Sequence, residues 1–167
     1  MTLLAMKRSR TSAGLLMFRK KGDELEVLLV HPGGPFFRNK DDGAWTIPKG
    51  EATEGEDLLG RAKIEFEEEL GIAATGGDWI ELGSIKQKGG KTVHGWAFAG
   101  DLKNDFKLSS NTFEMEWPPR SGKMKEFPEI DQARFFSLDE ARKKINAAQQ
   151  SFLDRLVESL GSRIGKE

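Results

Sequence analysis

Three glutamates, Glu65, Glu68 and Glu69, stand at i, i+3 and i+4 within EFEEEL. On a helix, at about 100° per residue, their carboxylates share one face. Like charges at this spacing repel by roughly 0.2–0.5 kcal/mol per pair in an isolated helix. A bound divalent cation turns that repulsion into coordination, and hard cations such as Mg²⁺ take oxygen ligands and suit substrates that carry phosphates. Glu67 points away from the other three and reads as solvated. For EFEEE taken alone, a merely solvated acidic face is the plain alternative, so the residues around it must decide.

The helix that would carry these groups runs from about Glu56 to Leu70. Leu59, Ala62, Phe66 and Leu70 fall on one apolar stripe, and Gly71 follows where a helix C-cap is expected. The acidic face lies off that stripe, so all three carboxylates are expected to project outward over the adjoining loop. Ile64 also sits off the stripe, beside Glu68. Arg61, one turn before Glu65, projects between the directions of Glu65 and Glu68.

The whole stretch from Gly50 to Ile72, GEATEGEDLLGRAKIEFEEELGI, has the pattern G-x5-E-x7-I-E-F-x-E-E-x-G-I. It resembles the Nudix box, G-x5-E-x7-R-E-U-x-E-E-x-G-U with U apolar, at every defined position except Ile64, where the family carries Arg. The resemblance implies a metal-dependent hydrolase that cuts diphosphate linkages. It further implies that Gly50 offers a backbone carbonyl to the metal, with Glu65, Glu68 and Glu69 as carboxylate ligands, and that the ion is Mg²⁺ or Mn²⁺. In relatives the Arg at the Ile64 place is thought to position a catalytic carboxylate. Arg61, by its angular position, is the expected partial replacement, with a reduced rate as the other expected consequence of Ile64.

Further segments, GAWTIPKGE with EGED, KTVHGW at Lys91–Trp96 and EIDQARFFSLDEA at Glu129–Ala141, are similar to diadenosine tetraphosphate hydrolases of that superfamily. Glu129, by its spacing to Arg134, Phe135 and Phe136, matches a loop glutamate that assists metal binding or base catalysis in relatives, with Glu114, Glu116 and Glu126 as competitors. The general base that takes a proton from water is left open among Glu65, Glu68 and Glu129. Lys49 and Lys91 are expected phosphate contacts and Trp117, within EWPPR, the expected base-stacking residue, whereas Trp45 and Trp96 read as core. Arg38 and Lys40, and Arg120, Lys123 and Lys125, form two basic loop groups that either embrace a polyphosphate or are simply solvated. His31 and His94 are expected to make structural hydrogen bonds.

The implied substrate is a small-molecule phosphoanhydride, first a dinucleoside polyphosphate, then a nucleoside triphosphate, a nucleotide sugar or a diphosphoinositol phosphate. A non-catalytic nucleotide or metabolite sensor on the same scaffold, with Ile64 marking lost catalysis, is the rival. Retention of all three helix carboxylates argues against it.

Composition narrows the remaining classes. The 167 residues carry 26 Lys plus Arg against 27 Asp plus Glu, a net charge of −1 that gives no general pull toward nucleic acid or anionic membrane. With no Cys there are no disulfides or thiolate sites, and two histidines argue against zinc. No apolar run approaches the roughly 20 residues that span a bilayer. MTLLAMKRSR lacks a signal-peptide apolar core, so the cytoplasm is the expected location. A monomer and a homodimer are equally compatible.

The elements that must position the site follow from periodicity and turn residues. Strands are expected at Ser12–Phe18, Leu25–Val30, Ala44–Ile47, Trp79–Ile85, Thr92–Ala99 and Ala133–Phe136. The loop HPGGPFFRNKDDG separates the second from the third, and residues 100–128 read as a long loop over the site. Ser137 and Glu140 form a capping box that opens the helix LDEARKKI, and a last helix, about Ser151–Leu160, stops before Gly161. The expected fold class is α/β, a mixed β-sheet sandwiched between helices, which the resemblance makes the Nudix fold. One domain spans residues 1–167, with its core at about 10–160.

Overall fold

The computed structural model describes residues 8–164. Residues 1–7, on which most of the signal-peptide expectation rests, lie outside them. Strand β1 (Arg8–Lys21) is long enough to serve three neighbours. Its C-terminal part turns at Gly22 into β2 (Glu24–Pro32) in a hairpin that pairs Phe18 with Val27 and Lys21 with Glu24. Its N-terminal part pairs antiparallel with β3 (Lys49–Thr53), Ala13 opposite Gly50. Along the other edge it runs parallel to β5 (Thr92–Ala99) from Thr11 to Phe18. With β4 (Ile80–Lys86) and β8 (Ile130–Ser137) the order is β4-β5-β1-β2-β8, β3 joining at β1. Parallel and antiparallel pairs in one sheet make it mixed.

Both faces of the sheet are covered, as alternating side chains on buried strands require. Ala13, Leu15, Leu28 and Val30 pack against Ala62, Phe66 and Leu70 of helix α1 (Leu58–Leu70). Leu16, Val27 and Leu29 face the other way. They meet Ala141 of α2 (Leu138–Lys144) and Phe152, Leu153 and Leu156 of α3 (Gln150–Ile164). This helix–sheet–helix sandwich is the mixed α/β architecture expected above. Among the described residues no helix is long and apolar enough to cross a membrane.

Several boundaries differ from expectation for identifiable reasons. Ala44–Ile47 is not a strand: Trp45 and Thr46 make only isolated bridges, to Ile145 and Val30, and the strand starts later, at Lys49. Trp45 and Ile47 are apolar because both are buried in the α2–α3 core. The expected loop at 100–128 contains a separate hairpin, β6 (Thr112–Glu116) and β7 (Met124–Pro128), with Phe113 opposite Phe127. Its strands are short, charged and mostly exposed, with only Phe113, Met115 and Phe127 partly buried, so apolar periodicity barely registers. Helix α3 runs through Gly161 to Ile164. Gly161 is exposed, and an internal Gly costs a helix only about 1 kcal/mol relative to Ala. Ser137 does cap α2, accepting from the Glu140 N–H at 3.3 Å.

Candidate active site

Helix α1 is delimited at both ends by its own sequence. Asp57 accepts from the Gly60 N–H at 3.1 Å as N-cap, and Gly71, in the left-handed conformation (φ 79°), donates to the Glu67 carbonyl as C-cap. Its buried stripe presses Ala62, Phe66 and Leu70 onto the sheet, which holds Glu65 over β3. The approach is close: a Cβ at Gly50 would fall 1.9 Å from Glu65 Oε1. Only glycine allows that carboxylate to lie against the β3 backbone.

Lys49, Gly50, Glu51, Thr53, Arg61, Glu65, Glu68, Glu69 and Glu129 line one cavity of about 470 Å³. Glu129 enters from the turn between β7 and β8. Its backbone N–H is held by the Asn111 carbonyl and its carbonyl by the Gly33 N–H, both at 2.8 Å. Of the competing loop glutamates, Glu114, Glu116 and Glu126 stay on the hairpin. Glu116 accepts from the Arg120 and Gly122 N–H groups.

Arg61 ties the helix to the preceding turn. It bonds Glu56 through Nε at 2.9 Å and Nη2 at 2.7 Å, and Glu65 through Nη1 at 3.0 Å. Glu56 also accepts from the Thr53 N–H. Ile64, 44% exposed, holds nothing in place. The guanidinium that the helix lacks at 64 is therefore present one turn earlier, on Glu65 and Glu56 rather than between Glu65 and Glu68. The expectation that all three carboxylates project outward needs correction for Glu69. It is 6% exposed, because at about 100° per residue it lies only about 20° from Ala62, at the edge of the buried stripe.

The electrostatics are those of too many carboxylates in too little water. Burial, then the nearby Glu65 charge, pushes the Glu69 carboxyl up to about 8, against the pull of Lys49. Burial also raises Glu65, with Glu68 and Glu129 adding to it and Arg61 opposing. Glu129 is raised by burial and by Glu68. The Lys49 ammonium is lowered by burial and by Lys91, although Glu69, Glu51 and Glu65 favour its charge. Such a cavity favours added positive charge.

The donor set fits a hard divalent cation. Four carboxylates supply oxygen only, and the Gly50 backbone lies bare against Glu65. Among the described residues no three acidic or histidine side chains stand in a ready-made ion cage, so binding would draw the carboxylates inward. Glu65 has one oxygen on Arg61 and the other beside Gly50.

The remaining expected residues are dispersed. Lys91 sits at the rim, paired at 3.0 Å with Glu51. Trp117 follows β6 and packs edge-on against Phe36, ring centres 5.7 Å apart, away from the cavity lining. Trp45 and Trp96 are core. His31 bonds Asp131 and the Lys40 carbonyl, each at 2.7 Å. His94 stacks on Trp96, and its Nε2 is buried without a hydrogen-bond partner. Sequence reasoning passed over Glu51 and Thr53 as lining residues. They belong with Lys49 to one alternate set of side chains on β3, so the reading of Lys49 as a site residue was the signal for both.

A family model described as the NUDIX domain matches residues 8–156. Among solved structures, a binary complex of C. elegans Ap4A hydrolase superposes with a TM-score of 0.65 at 23% identity, over 90% of this chain and 98% of that one. The NUDIX domain of Shewanella oneidensis NrtR, complexed with ADP ribose, gives 0.61 at 14% identity, over 93% and 91%. A MutT protein from Methanosarcina mazei Go1 gives 0.56 at 23%, over 89% and 93%. At these identities the likeness is one of fold. No curated protein sequence matches the chain.

Proposed function

This chain belongs to the Nudix domain family, and we propose that it is a pyrophosphohydrolase of that type, cleaving a diphosphate linkage in a nucleoside polyphosphate with Mg²⁺ bound. Dinucleoside polyphosphates are the favoured substrates and Mn²⁺ the alternative ion. The observation that carries the reading is the convergence of Glu65, Glu68, Glu69 and Glu129 on one cavity beside Lys49 and Gly50. The substrate preference rests on the PKGE, KTVHGW and EIDQARFFSLDEA segments.

The bound cation would supply charge neutralisation and a lowered pKa for attacking water. The protein's own part is positioning and proton transfer. Glu65, Glu68 and Glu69 with the Gly50 carbonyl are the proposed ligands. Arg61, bonded to Glu65 at 3.0 Å, is the proposed positioning residue for it. Glu129 is the proposed base. It makes no ion pair among the described residues, its basicity is raised, and it approaches from a different element than the other three. Lys49, in the cavity lining, is the proposed phosphate contact, since a bound anion would restore the charge that burial disfavours. Lys91 and Trp117 are proposed outer contacts for phosphate and base.

Incubating the protein with a panel of nucleoside polyphosphates, with and without Mg²⁺, and identifying products by mass spectrometry tests the proposal. Metal-dependent consumption is expected, with loss of about 100-fold or more in a Glu68→Gln, Glu69→Gln double variant. Wild-type turnover in that variant would reject the site. Ligand that binds but is never consumed would select the sensor instead.

A further inference from the structure

A second cavity of about 280 Å³ lies on the opposite face of the sheet. Along β2, Leu28 and Val30 face α1 whereas Val27 and Leu29 face α2 and α3. His31 continues the second set, and Trp45, also of that set, shares the cavity wall. The rim is cationic: Arg38 and Lys40 from the loop after β2, and Arg134 from β8.

The charges around this cavity do not cancel. Asp41, the acidic residue in its lining, is already engaged. It accepts from Lys144 Nζ at 2.6 Å and from Trp45 Nε1 at 2.8 Å, and its carboxyl is held below the usual range by those two bonds. His31 is 3% exposed, and both its ring nitrogens face acceptors, Asp131 Oδ1 and the Lys40 carbonyl. Those two bonds fix the orientation of the ring between β8 and the loop after β2. Arg38, Lys40 and Arg134 are left with no acidic partner among the described residues. Lys40 and Arg134 rest instead over the faces of Phe37 and Phe136. The buried His31 fastens the loop carrying Arg38 and Lys40 to the strand carrying Arg134, which keeps the cations facing one space.

We propose that this cavity is an oxyanion site, distinct from the carboxylate cavity, for a phosphate or diphosphate group that is free or terminal on a nucleotide. Two guanidinium forks suit the planar, bidentate recognition of phosphate oxygens. The volume admits a diphosphate more readily than a whole nucleotide. The site does not depend on the proposed hydrolysis and stands or falls separately from it.

Chelator separates the two cavities. In EDTA the four-carboxylate cavity repels anions, so phosphate binding reports the cationic one. Inorganic pyrophosphate and ATP, each titrated into the EDTA-treated full chain by calorimetry and by following the Trp45 indole N–H resonance, should both bind. Affinity should fall as salt is added and weaken about tenfold or more in Arg38→Gln, Arg134→Gln. Both replaced side chains are exposed, and unchanged circular dichroism would confirm the fold. Equal affinity for the two probes identifies a free oxyanion as sufficient. ATP alone binding, with loss in the variant, identifies a nucleotide's terminal phosphate. Failure of both probes to bind at millimolar concentration, or binding that the double variant leaves intact, would overturn the proposal.

Discussion

Glu65 depends on two neighbours that fix its two oxygens differently. Gly50 makes room for one, and Arg61 binds the other. A methyl group at Gly50 collides with the carboxylate itself rather than with backbone, so Gly50→Ala must turn Glu65 away. Because the clash is with the far end of a flexible side chain beside a cavity, the carboxylate can swing away at little cost in stability. The expected result is a protein that still melts cooperatively but has lost most of its metal affinity, measurable by calorimetry with Mn²⁺. Arg61→Ala removes the guanidinium while leaving the carboxylate in place. Groups that orient ligands are worth about 10–100-fold, so metal affinity and kcat should both drop by that order. Unchanged values would show that Arg61 only solvates Glu56.

Among the elements, α1 is the most locally determined. Its stripe, Asp57 cap and Gly71 cap all reside in one contiguous stretch, and the three-carboxylate spacing was legible there before any fold was known. The β6–β7 hairpin was not legible, because Phe113 and Phe127 pair across a gap of intervening polar residues and only half-bury. Helix α3 sits between these cases. Its amphipathic face was apparent, but Gly161 read as a stop. Nothing lies within 4 Å of a Cβ placed there. Gly161→Ala should therefore stabilise the protein by about 0.5–1 kcal/mol, read as a higher denaturant midpoint. A destabilised variant would mean that the helix ends earlier in solution.

For the molecule as a whole, the carboxylate cavity links folding stability to pH and to metal. Glu69 titrates near 8 in the folded state against 4.5 as its ordinary value. The native state therefore holds a proton that the unfolded chain releases between those values. Stability from this group is fully present below about 4.5 and is lost as pH rises through about 8. The metal-free protein should melt at progressively lower temperature across that window, and Glu69→Gln should flatten the decline. Mg²⁺ should oppose it, since the ion favours the ionised carboxylates. A melting temperature that rises with pH in EDTA would contradict the burial of Glu69. The sequence by itself determined the acidic helix, its Gly71 cap and the displaced arginine, because these depend on spacings of a few residues and on fixed helical geometry, while the motif resemblance pointed to Gly50. Only the tertiary structure decided that Glu129 joins the cluster while Glu114, Glu116 and Glu126 do not, and that Glu69 is buried. It also decided that Arg134 and Arg38 line one second cavity. Those outcomes depend on strand register and on how far a helix sinks onto a sheet, and both are set by packing between segments distant in the chain.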